Sequence, residues 1–99
     1  MDNNNRIKVI MMDTKELTDY LTKLMITKTV EHNISNPDNQ YYPSNFRELG
    51  RTIKILAKQE NKELYKENEK QINKIIPNLD LVYINVKIED EVRKAWKLL

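Results

Sequence analysis

Ninety-nine residues, 39% of them hydrophobic and 32% charged, with a formal net charge of +2, suffice for one domain (1–99) with a thin core. The chain has no cysteine, which excludes disulfides, thiolate nucleophiles and zinc–thiolate sites. No apolar run reaches the length of a membrane span or a signal-peptide core, so the expectation is a cytoplasmic protein with no membrane partner.

Residues 1–5 are polar and read as a disordered tail. Residues 6–12 alternate Ile7, Val9 and Met11 with Lys8 and Ile10, which predicts a short strand; an N-terminal extension of the following helix is the rival. Asp13 followed by Glu16 has the spacing of a capping box and opens a helix over 14–31. Leu17, Tyr20, Leu21, Leu24 and Met25 are its core-facing stripe. The stretch 33–43 concentrates Asn, Pro, Asp and Ser and is a loop, carrying the tandem Tyr41-Tyr42. Ser44 is placed to cap a helix over 45–59 whose apolar face is Phe46, Leu49, Ile53, Leu56 and Ala57. That face fails near Asn61 and resumes rotated, with Leu64, Ile72, Ile75 and Ile76, so a second helix over 62–76 is expected, with one continuous helix over 45–76 as the rival. Gly50, the only glycine, sits inside the first of these helices and points to close approach by another element. Pro77 stops the second.

Residues 81–88 (Leu-Val-Tyr-Ile-Asn-Val-Lys-Ile) alternate as a strand, with Val82, Ile84, Val86 and Ile88 on one face. Glu89, Asp90 and Glu91 then suit the start of a helix over 89–98, with Val92, Ala95, Trp96 and Leu99 as its apolar stripe. The expected fold is therefore α+β: strand 6–12 paired with strand 81–88 and covered by helices. An all-α bundle is the alternative. An exposed edge on such a two-stranded sheet would permit homo-oligomers by strand addition.

The richness in Asn, Lys and Ile is similar in composition to small accessory proteins of phages and mobile elements in AT-rich hosts. No motif extends that similarity beyond composition.

The feature that stands out is a basic ladder: Arg47, Arg51, Lys54, Lys58, Lys62, Lys66, Lys70 and Lys74 follow at steps of three or four. Its rear half is interleaved with Glu63 and Glu67 and reads as a solvated mixed-charge face. Its front half has only Glu48 against four cations. Beside the tyrosines of the preceding loop, this front end suggests an aromatic–basic binding patch of Tyr41, Tyr42, Arg47, Arg51, Lys54 and Lys58, since Tyr and Arg are enriched at binding hot spots. The competing reading folds both rings back over the core.

Catalytic chemistry is nearly absent. His32 is the only histidine and has no partner at metal-ligand spacing, and one glycine cannot build a phosphate loop. Consecutive acidic residues at 89–91 point in different directions on a helix and cannot converge on a metal. No cofactor and no enzymatic activity are expected. The expected function is a small protein-interaction module, a phage- or mobile-element-type modulator or inhibitor of a larger host protein, binding an acidic protein partner. The alternative is a nucleic-acid-binding regulator that uses the basic face of helix 45–59. The eleven-residue loop at 33–43 is too long for a helix-turn-helix.

Overall fold

The structure, a computed structural model, describes residues 12–98. It corrects the expected α+β class: the described residues form helices and no strand. In chain order these are α1 (Thr14–Ser35), α2 (Phe46–Glu60), α3 (Lys62–Ile75), a 3-10 turn at Ile76–Asn78, and α4 (Leu81–Lys97). The all-α bundle is the architecture found. Of the proposed strand 6–12, residues 6–11 and the tail 1–5 lie outside the described residues, and Met12 has no regular structure.

The strand read at 81–88 is the first half of α4. Asp80 caps that helix, its carboxylate accepting the Tyr83 N–H at 2.9 Å. The β-branched run satisfies two periods at once. Val82, Ile84, Val86 and Ile88 alternate, yet Ile84, Ile88 and Val92 also repeat at four, and it is these three that α4 buries. With no strand among the described residues to pair with, a helix satisfies the backbone of this segment within itself. Glu89 and Glu91 lie mid-helix, paired with Arg93 at 3.5 Å and with Lys87 and Lys94 at 3.9 and 3.8 Å. Dimerisation through a sheet edge at 81–88 falls with the strand.

The start of α1 is as read. Glu16 N–H donates to Asp13 at 2.8 Å, and Asp13 N–H donates to the Glu16 carboxylate at 3.2 Å. The helix runs past the expected end at 31, because Thr29 and Asn33 continue the buried stripe of Leu17, Leu21, Leu24 and Met25. Asn36 closes it, its side-chain amide donating to His32 O at 2.8 Å.

Asn45, rather than Ser44, caps α2, accepting the Glu48 N–H at 2.9 Å. Ser44 instead donates its hydroxyl to the Glu48 carboxylate at 3.0 Å. The break between α2 and α3 is a single residue, Asn61, in extended conformation (φ −156°, ψ 94°). Its N–H reaches back to Ala57 O, and its side chain accepts the Leu64 N–H at 3.1 Å, so one asparagine ends one helix and begins the next.

α1 packs against each of the other helices. Their inward faces share one core that includes Leu17, Leu21, Leu49, Ile53, Ile72 and Ile84. Ile76, just after α3, returns to Gly50 near the start of α2, making α2 and α3 an antiparallel hairpin. A Cβ at Gly50 would sit 3.0 Å from Ile76 Cγ2, which is the close approach that a glycine inside a helix implied.

Candidate partner-binding groove

The two tyrosines of the loop are held by the fold. Tyr41 is gripped on its backbone by the wholly buried Asn33: Tyr41 N–H donates to Asn33 Oδ1 at 2.7 Å, and Asn33 Nδ2 donates to Tyr41 O at 3.0 Å. Its hydroxyl lies 2.9 Å from Thr52 Oγ1. Burial raises the Tyr41 phenol above its ordinary value; the Thr52 hydrogen bond opposes this, Glu48 adds to it, and Arg51 opposes it. Tyr42 is half-buried against the core and donates its hydroxyl to Gln40 Oε1 at 3.0 Å. Pro43 is buried, and its carbonyl accepts from Asn85 Nδ2 at 2.8 Å. The segment 41–43 is thus a strap tied to α1, α2 and α4, and the rings close the core as the competing reading held.

Helical geometry then divides the expected patch. At about 100° per residue, Arg47, Arg51 and Lys54 fall within a sector of about 60° on α2, while Thr52 lies at least about 100° from all of them. Tyr41 therefore packs on one flank of α2, in a shallow pocket of about 320 Å³ shared with Lys28, Thr29, His32, Thr52 and Leu56. Arg47, Arg51 and Lys54 line the other flank, in a groove of about 540 Å³ between α2 and the end of α3.

Phe46 and Ile55 stand at the two ends of α2's share of that groove. They keep 46% and 51% of their surface exposed, although both are large and apolar. Gly50 lies between them, and Asn73, Ile76 and Pro77 form the opposite wall. Among the described residues, no carboxylate lines the groove. Glu48, the acid nearest in sequence, is turned back to Ser44. Among the described residues, none of the ladder's cations makes an ion pair.

The sequence pattern missed Phe46 and Ile55 as surface residues. Phe46 scored as core because it falls in phase with Leu49, Ile53 and Ala57. Ile55 offered a signal: two residues from Ile53, it lies on the side of the helix opposite the buried stripe.

The rest of the ladder fans out. Lys58 Nζ sits 5.2 Å from the centre of the Tyr65 ring, a cation–π contact beside Lys62, Lys66 and Glu69. Lys74 turns instead to a cleft beside Thr14, Thr18 and Gln71, where Gln71 donates to Thr14 at 2.8 Å.

His32 is exposed. Its Nε2 faces Asn39 O at 3.1 Å, and because a carbonyl only accepts, Nε2 carries the proton. Among the described residues no three His, Asp or Glu side chains gather as a metal site. No described helix is long and apolar enough to cross a membrane.

No protein-family model, curated protein or solved structure matches this chain.

Proposed function

We propose that this chain is a non-enzymatic protein-interaction module that modulates a larger partner by binding it through the α2 groove. One observation carries the reading: Arg47, Arg51 and Lys54 share a groove with exposed Phe46 and Ile55, and among the described residues no carboxylate lines it. Three like charges on one flank repel one another, at a few tenths of a kcal/mol for each neighbouring pair. A partner that brings carboxylates relieves that repulsion, and the apolar ends add area to bury. The test is capture from lysate of the native host, comparing wild type with Arg47→Glu/Arg51→Glu and, as control, Lys97→Glu on α4. The reading expects the groove variant to lose the captured protein and the control to keep it. Equal recovery by both variants would exclude the groove.

A nucleic-acid-binding regulator is the second reading, favoured by the continuation of the cations into Lys58, Lys62 and Lys66 around Tyr65. Phosphate contacts release counterions, so such binding weakens steeply with salt. A gel shift at rising salt separates the two readings; no shift even at the lowest salt removes the second.

A further inference from the structure

Resting on the interaction reading above, we infer that the groove takes an amphipathic helix of about three turns from a protein partner, with its carboxylates on one flank only. The two walls of the groove differ in charge. On the α2 side, Lys54, Arg47 and Arg51 lie successively around the helix between Gly50 and Ile55. The opposite wall is Asn73, Ile76 and Pro77, which carries no charge. A ligand seated between them meets positive charge on one side and neutral surface on the other. Carboxylates on its second flank would gain nothing there and would be desolvated against Ile76 and Pro77.

Secondary structure of the occupant follows from its backbone. An extended peptide needs outside partners for its N–H and C=O groups, usually a sheet edge. Among the described residues there is no strand, and Asn73 is the groove's one uncharged hydrogen-bonding side chain. A helix satisfies its own backbone and needs only side-chain complementarity. The cleft itself runs between α2 and the end of α3, with Ile76 and Pro77 in its wall.

Length follows from the anchors. Arg47, Arg51 and Ile55 follow at steps of four and stay within about 80° around α2, spanning about 12 Å at about 1.5 Å per residue. An occupant helix of about three turns covers that span, with its acidic flank along Arg47 and Arg51 and an apolar residue against Ile55. Nucleic acid fits these walls less well. Its charge runs along both strands or the whole backbone, whereas this groove is cationic on one wall and exposes apolar side chains at both ends.

The test is a selection from a yeast-displayed library of random peptides, about 15 residues each, against the full chain, followed by circular dichroism of the enriched sequences. The inference expects apolar residues at helical spacing, Asp and Glu on one side, and helix induced on binding. It also expects binding to fall at least about tenfold for Arg51→Glu and for Ile55→Glu, both surface changes, with each variant's thermal melt unchanged. Enrichment of proline-containing or alternating β-patterned peptides, carboxylates on both flanks, affinity indifferent to both variants, or no enrichment at all would each overturn it. If the selection fails while Arg47→Glu/Arg51→Glu still abolishes capture of the host partner, the helical occupant is wrong and the interaction module stands. If both fail, the groove is not the binding surface.

Discussion

The two flanks of α2 put their polar groups to opposite use. On one flank Thr52 holds the Tyr41 hydroxyl at 2.9 Å, while Asn33 holds the Tyr41 backbone at 2.7 and 3.0 Å. On the other, Arg47, Arg51 and Lys54 have no ion-pair partner among the described residues, and Phe46 and Ile55 stay half exposed. The first flank is consumed in folding. The second is the surface that the proposed function offers to a partner.

The sharpest way to break this contrast is Asn33→Ala. It strands the partly buried N–H and carbonyl of Tyr41, and urea unfolding should show a loss of about 2–4 kcal/mol. A loss below about 1 kcal/mol would mean that the strap contributes nothing and that the flanks are alike. Next comes Gly50→Val, whose branched side chain collides with Ile76 Cγ2. Overpacking of this kind costs about 1–3 kcal/mol, and the displaced 3-10 turn should weaken binding in the groove as well. Thr52→Val removes the partner of the partly buried Tyr41 hydroxyl and should cost about 1 kcal/mol by thermal or urea melt.

Alkaline titration sharpens the same contrast. Burial raises the phenols of Tyr20, Tyr41 and Tyr65 above the ordinary value of 10.0. A phenol whose folded value exceeds its unfolded value contributes stability that is intact below the unfolded value and is lost as pH rises toward the folded one. The folded chain should therefore show tyrosinate absorbance spread to higher pH than the urea-unfolded chain, and the stabilising contribution should decline only above pH 10.0. Superimposable titrations of the two states would contradict it. The smallest effect belongs to the open flank. Arg47→Glu or Arg51→Glu should change stability by no more than about 0.5 kcal/mol, because neither cation has a partner to lose. A large loss in either would show that these residues serve the fold.

Much of the helical frame was legible locally. Asp13 and Glu16 announced α1, Asn61 marked the break between α2 and α3, and Pro77 marked the end of the second helix, since capping and backbone chemistry act over a few residues. The stripe of α1 was likewise read from spacing, and Tyr20 is half-buried as the stripe implied. The segment 81–88 was misread because its β-branched residues fit both periods, and the choice depends on whether a strand is there to pair with. The candidate site was legible only in part. Spacing put Arg47, Arg51 and Lys54 together, but it could not say which flank the tyrosines would take.

By itself the sequence determined the helical character and approximate start of the segments at 14 and 45, the absence of cysteine chemistry, and the concentration of positive charge along α2. These depend on residue identity and on neighbours within about one or two turns. Only the tertiary structure decided that 81–97 is one helix, that Tyr41 and Tyr42 close the core, and that the ladder splits into a groove, a cluster at Tyr65 and the cleft beside Thr14. Each of those outcomes turns on which surfaces meet: Asn33 reaching Tyr41, Asn85 reaching Pro43, and Ile76 settling on the bare backbone of Gly50.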